Sequence, residues 1–283
     1  MKVIFPVAGL GTRLFPFTKE QPKEMLPLFS KSSKGQVFVK PLIQIIFEQF
    51  YQNGFREFCF IVGRNKRIIE DHFTSDATFL EKLKKTKKSN HKDRFEFFFN
   101  SINNSSITWV NQSQALGFGH AVSRVESFIG DNQFLLHAGD TLIISEKNTH
   151  VKTLIDLHKK NEADVSFYVQ EVQDPSIYGV VEGKIESEVI EVKNLQEKPS
   201  NPKTNLAIMP IYIFRPIIFD FLKKVKPDKN REIQLTDAIN DMVKEGMKVI
   251  AVNATKSVTW LDIGNPDSYW NALNVSHEQS LKI

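Results

Sequence analysis

The stretch that decides the fold is Val7-Ala8-Gly9-Leu10-Gly11-Thr12-Arg13-Leu14, set directly behind the apolar run Lys2-Val3-Ile4-Phe5-Pro6. A short β-branched run followed by a glycine-rich loop reads as a buried first strand whose end holds an anion. Glycines let the backbone come close, and successive N–H groups then point at phosphate oxygens. Two common versions of such a loop are excluded. The dinucleotide fingerprint needs G-x-G-x-x-G, and Leu14 stands where the third glycine belongs. The Walker loop needs Gly-Lys-Ser/Thr, which does not occur in the chain. What stands here is G-x-G-T-R, with Arg13 as a fixed cation whose planar fork suits multidentate phosphate contact.

Working outward, short runs rich in Val, Ile and Phe alternate with helical patterns. The expected strands are residues 2–7, 58–62, 107–110, 134–138 and 163–172. Helices are expected over 41–51, closed by Asn53-Gly54, and over 66–73, 119–128 and 149–161. After about residue 175 the pattern turns to strands (178–182, 189–192, 206–214). Helices then follow at 216–224 and 234–245, with a strand at 249–252 and a last helix from Pro266. The alternation argues for an α/β fold: a Rossmann-like mixed, mainly parallel sheet flanked by helices. No linker divides it. The expectation is a single domain over 1–283, with a first half at about 1–175, a second half at about 176–265, and a C-terminal helix at about 266–283. Residues 30–36 and the lysine-rich 81–94 read as surface excursions, the latter a solvated face rather than a nucleic-acid site, since no RNA or DNA motif accompanies it.

Composition agrees with a folded chain. There are 283 residues, 41% hydrophobic and 25% charged, with a net charge of +4. One cysteine, Cys59, excludes an internal disulfide framework and a cysteine-based zinc cluster, and its apolar neighbours mark a buried, inert thiol. No apolar run approaches the ~18 residues of a membrane span, and the first residues carry no leader pattern, so a cytoplasmic protein is expected.

The glycine loop is followed at once by Gln21-Pro22-Lys23-Glu24-Met25-Leu26-Pro27. Together, G-L-G-T-R-L-x-P-x-T-K-x-x-P-K-E-M-L-P resembles the signature of the sugar-1-phosphate nucleotidylyltransferases, in the form of their uridylyltransferase branch. The likeness continues in order through Lys40-Pro41-Leu42-Ile43-Gln44, Gln112 with Gly117-Phe118-Gly119-His120, and Gly139-Asp140. It then runs through Tyr178-Gly179, Glu197-Lys198-Pro199, Glu232 to Ile239, and Trp260-Leu261-Asp262-Ile263-Gly264. Two departures are visible: Thr141 follows Asp140 where that branch usually has a second Asp, and the step from M-L-P to K-P-L-I-Q is lengthened by about residues 31–39.

The resemblance implies a glycosyltransferase-A-like nucleotidyltransferase fold that joins UTP to glucose 1-phosphate with Mg2+, in a homo-oligomer (dimer or tetramer), with neither nucleic acid nor membrane as partner. The nucleotide would be held by Ala8, Gly9, Gly11, Thr12, Gln112 and Gly117. The sugar phosphate would be held by Tyr178, Gly179, Glu197 and Lys198. Arg13, Lys23, Asp140 and Lys198 would serve catalysis, with Asp140 and Asp262 as metal ligands. Chemistry supports these roles. Gln112 carries a donor and an acceptor for the imide edge of uracil or thymine. Asp140 ends an apolar strand, where ligands of open α/β sheets bind and where a carboxylate suits a hard cation. Glu197 suits sugar hydroxyls and Lys198 a phosphate dianion. Thr236 and Asp237 are expected to cap or support a helix rather than touch substrate, and His120 and His137 to be structural. A thymidylyltransferase using dTTP, or a non-catalytic sugar-nucleotide-binding protein, are the alternative readings.

Overall fold

The computed structural model describes residues 1–281 apart from 33–34, 77, 79–80, 82–88 and 187. Its strands are β1 (Lys2–Pro6), β2 (Pro27–Lys31), β3 (Val37–Pro41), β4 (Glu57–Val62), β5 (Ser106–Asn111), β6 (Phe134–His137), β7 (Thr141–Ile144), β8 (Val165–Glu171), β9 (Gly179–Glu186), β10 (Val189–Glu197), β11 (Leu206–Phe214), β12 (Val249–Asn253) and β13 (Thr259–Asp262). The α-helices are α1 (Leu42–Gln52), α2 (Arg67–His72), α3 (Ser89–Asn103), α4 (Phe118–Ser123), α5 (Glu126–Ile129), α6 (Thr149–Lys160), α7 (Ile218–Leu222), α8 (Leu235–Lys244) and α9 (Pro266–Leu281).

The two-residue period of the strands sorts their side chains into two cores. Val3 and Phe5 of β1 join Phe58 and Phe60 of β4 on one face, under α1, α3 and α6. Ile4, Cys59 and Ile61 face the other way, under α4, α7 and α8. The first core is built from phenylalanine. The Phe47 ring lies 4.6 Å from Phe58 and 5.1 Å from Phe73, in tilted and edge-on contacts that such rings prefer. Cys59 is buried as expected, and burial pushes its thiol up to about 12.

The main sheet has nine strands in the order β5-β4-β1-β6-β11-β8-β12-β10-β9. Pairing is parallel from β5 through β6 and between β8 and β12, and antiparallel elsewhere. The sheet is therefore mixed, and the expected parallel character belongs chiefly to its N-terminal half. β11 carries Pro210, which cannot donate to a ladder, and the β11–β8 register shifts between Met209 and Tyr212. The freed Pro210 carbonyl accepts from the Ala138 N–H at 2.9 Å, just before Asp140.

The helix expected over 119–128 is two short helices, α4 and α5, separated at Arg124-Val125. The strands flanking the polar excursion at 30–36, β2 and β3, pair antiparallel, and α9 packs on them through Phe29–His277 and the Tyr269 hydroxyl on the Pro27 carbonyl. The lysines at 82–88 lie outside the described residues, while the chain from Ser89 onward is helix α3.

Candidate active site

The first strand ends beneath the glycine loop. The Val7 N–H still bonds the Ile61 carbonyl at 2.9 Å, and the chain then leaves the sheet. Gly11 takes φ +66°, the left-handed region that glycine enters without cost. Its carbonyl accepts from the Thr18 hydroxyl at 2.7 Å, and a Cβ at position 11 would lie 3.2 Å from the Thr18 side chain. Arg13 follows in the short turn Thr12–Leu14.

Beside this loop lies a cluster of alternating charge. Lys23 forms an ion pair with Asp140, and Glu24 one with Lys66 at 2.9 Å. Burial would depress the Lys23 ammonium, but the charges of Asp140 and Glu24 outweigh it and hold its pKa above the usual lysine value. Burial likewise opposes the Asp140 charge, yet Lys23 and Arg13 bring its pKa below the ordinary carboxylate value. Asp262 reaches the cluster through the two-stranded pairing of β13 with β7, where it stands opposite Thr141. The Ile263 N–H also bonds the Asp140 carbonyl at 3.1 Å. Gly264 leaves room there: a Cβ on it would lie 2.9 Å from an Asp262 carboxylate oxygen and 3.1 Å from the Arg13 guanidinium.

Burial, and then the like charge of Asp140, push Asp262 up to about 6 from an ordinary 3.8. The folded chain thus keeps a proton that the unfolded chain releases near pH 4, so this group lowers stability as pH rises from about 4 to 6 and the penalty persists above. Asp262→Asn should therefore stabilise the metal-free protein at pH 7.5, on the order of 2 kcal/mol, and do nothing below about pH 4. Urea melts across that range check this; a variant destabilised at pH 7.5 would contradict it.

On the opposite wall, Gln112 follows β5, its N–H on the Val62 carbonyl at 2.8 Å. Its side-chain Nε2 donates to the Gly117 carbonyl at 3.1 Å and lies 3.0 Å from His120 Nδ1. The expectation that Gln112 offers both donor and acceptor to a base is corrected: the NH2 group is spent inside the protein, and Oε1 remains. Gly117, at φ +96°, and Gly119 sit against the 232–234 segment. A Cβ on either would come within 2.8 Å of the Ile233 carbonyl, which accepts from the Gly119 N–H at 2.9 Å.

The far end of the cleft is built from β9, β10 and the start of α8. Lys198 has φ +42°, uncommon for a residue with a side chain, and its N–H bonds the Tyr178 carbonyl at 3.0 Å. Its Nζ lies 3.2 Å from Glu197 Oε1, so these neighbours pair with each other. Glu197 Oε2 accepts from the Thr236 hydroxyl at 2.6 Å. Thr236 does not cap α8: its hydroxyl is turned to the carboxylate and the residue lines the cleft, while Asp237 lines a separate surface hollow. The Tyr178 ring rests 5.0 Å from that of Trp260.

These walls enclose one cleft of about 560 Å³. It is lined by Ala8, Gly9, Gly11, Thr12, Arg13, Lys23, Gln112, Gly117, Asp140, Tyr178, Gly179, Glu197, Lys198 and Asp262, the residues that the sequence assigned to nucleotide, sugar phosphate, catalysis and metal. Sequence reasoning gave no site role to Glu24 or Lys66 and only a helix role to Thr236, although these residues hold cleft side chains in place. Two adjacent carboxylates with oxygen donors, Asp140 and Asp262, make a donor set that fits a hard divalent cation.

The chain has relatives among known proteins. The family profile described as nucleotidyl transferase matches residues 2–279. The chain is 36% identical to the UTP–glucose-1-phosphate uridylyltransferase YngB of Bacillus subtilis, across 86% of this chain and 79% of that protein. It is 36% identical to a UTP–glucose-1-phosphate uridylyltransferase of Staphylococcus epidermidis, across 85% and 81%. Among solved structures, UDP-glucose pyrophosphorylase complexed with UDP-glucose superposes with a TM-score of 0.84 at 34% identity over 98% of both chains. The UTP-bound enzyme of Acinetobacter baumannii gives 0.77 at 26%, over 98% and 97%. With a profile match over nearly its whole length, the chain belongs to the nucleotidyl transferase family.

Proposed function

We propose that this chain transfers the uridylyl group of UTP to glucose 1-phosphate, giving UDP-glucose and pyrophosphate. The observation that carries the reading is the order of groups along one cleft: a buried amide for the base, a glycine loop with Arg13 and Lys23 for the phosphates, paired carboxylates, and then Glu197 and Lys198 for the sugar phosphate. The printed activities of the relatives support it. We read a single domain in two halves, with base and phosphate groups drawn from about 1–175 and sugar groups from about 176–265.

The nucleophile needs no base, since a phosphate monoester has a second pKa near ~6 and is largely dianionic at neutral pH. Catalysis is then positioning and charge neutralisation. Lys198 holds the attacking phosphate, and Glu197, fixed by Thr236, orients the sugar. Arg13, Lys23 and the loop amides receive the negative charge of the departing pyrophosphate. Asp140 and Asp262 would hold Mg2+, which when bound supplies charge neutralisation at the reacting phosphates.

A pyrophosphate-release screen of UTP, dTTP, CTP, ATP and GTP against glucose 1-phosphate tests the reading. Strong release with UTP and weak release with the purine triphosphates is expected. Equal use of ATP would refute the base site, and release with no triphosphate would refute the transferase.

A further inference from the structure

We propose that His120 is a specificity-determining positioning residue: with the Gly117 carbonyl it locks the Gln112 amide so that only a carbonyl oxygen is offered to the base. The proposal rests on Gln112 facing the base, as in the reading above, and adds what sets its polarity. The Gly117 carbonyl can only accept a hydrogen bond, so the atom of Gln112 that lies 3.1 Å from it is the NH2 group. The same NH2 lies 3.0 Å from His120 Nδ1, which must therefore be the lone-pair nitrogen, with the ring proton on Nε2. Both amide protons are thus consumed within the protein. Turning the amide over would set Oε1 against two acceptors at once.

The parts of this lock are themselves fixed. Gln112 is buried, and its N–H is tied to the sheet. The turn carrying Gly117 and the start of α4 is clamped to Ile233 by hydrogen bonds in both directions, Gly119 N–H to the Ile233 carbonyl and Ile233 N–H to the Leu116 carbonyl at 2.8 Å. The Ser123 hydroxyl bonds the His120 carbonyl at 2.8 Å. Burial and the Arg124 charge hold the imidazole toward its neutral form, against a hydrogen bond with the Gln114 backbone.

The consequence is a choice between pyrimidines. Uracil presents N3–H, which an amide oxygen accepts. Cytosine presents a bare N3 there, and an oxygen facing it leaves two acceptors opposed in a buried site, an arrangement that carries a large penalty. Without His120 the amide keeps one of its two anchors and can turn, and the bar against cytosine weakens.

The test compares kcat/KM for UTP and CTP, with glucose 1-phosphate saturating, in the wild type, His120→Leu and His120→Asn. Asparagine can return an acceptor near the Nδ1 position. His120→Leu should lower the UTP/CTP ratio tenfold or more with little change in the glucose 1-phosphate KM, and His120→Asn should restore most of it. A ratio indifferent to His120→Leu, or one that asparagine leaves as low as leucine does, overturns the lock while leaving the transferase intact. Imidazole 15N shifts of the ligand-free wild type read the lock without turnover: an Nε2–H tautomer supports it, and an Nδ1–H tautomer overturns it whatever the enzyme's activity. Absence of UTP-dependent pyrophosphate release by the wild type would instead strike the transferase reading.

Discussion

Asp140→Asn should lower kcat by a factor on the order of 10² or more while the KM for UTP changes only a few-fold. The substitution keeps the shape of the side chain in the turn between β6 and β7 and removes its charge. Asp140 is the group on which the cluster converges: Lys23 pairs with it, Arg13 helps to hold it ionised, and Asp262 is pushed up partly by its charge. An amide there cannot balance Lys23, and it is a poor ligand for a divalent ion. The base and sugar walls, built from β5, β9 and β10, are untouched, so binding persists where turnover does not. Steady-state kinetics over a Mg2+ titration provide the check. A variant with near-normal kcat at saturating Mg2+ would remove Asp140 from the mechanism.

How much of this was legible in sequence follows the range of the interaction concerned. The glycine loop, Lys23 and the strand ending at Asp140 are local features, in which a few consecutive residues carry both the conformation and the charge. The placement of Asp262 is different. It meets Asp140 only because β13 pairs with β7 in a register that sets it opposite Thr141, and two four-residue strands more than a hundred positions apart leave no periodic trace. The Thr141 that replaces an expected acidic residue is buried in that pairing. Gln112 was recognisable by residue type, but the loss of its donor depends on His120, one helical start away, and on a carbonyl, which no side-chain pattern reveals. Thr236 looked like a cap because it opens a helix; its hydroxyl bonds Glu197, a partner that only the tertiary fold supplies. The antiparallel pairing of β2 with β3 was hidden by the polar segment between them.

The residue farthest from sequence recognition gives the second large effect. Lys66, just before α2, pairs at 2.9 Å with Glu24, and both side chains are buried. Glu24 belongs to the turn Lys23–Met25, so this pair anchors the segment that carries Lys23. Breaking a buried pair from one side leaves a charge without water or its hydrogen-bonded partner, at a cost of ~3–5 kcal/mol. Lys66→Met should therefore lower the melting temperature by on the order of 10 °C at pH 8. Burial already pushes Glu24 above the usual carboxylate range despite Lys66 and Lys23; without Lys66 it rises further. The folded variant then binds a proton that the unfolded chain has released, so its stability should fall as pH rises above the ordinary carboxylate range, more steeply than in the wild type. Adding Glu24→Gln removes the stranded charge and should regain much of the loss, because a neutral amide costs less to bury than an ion. Thermal melts of the wild type and these two variants across that pH range decide the matter. If Lys66→Met costs less than ~1 kcal/mol, or Glu24→Gln fails to rescue it, the pair is not what holds Lys23 in the cleft.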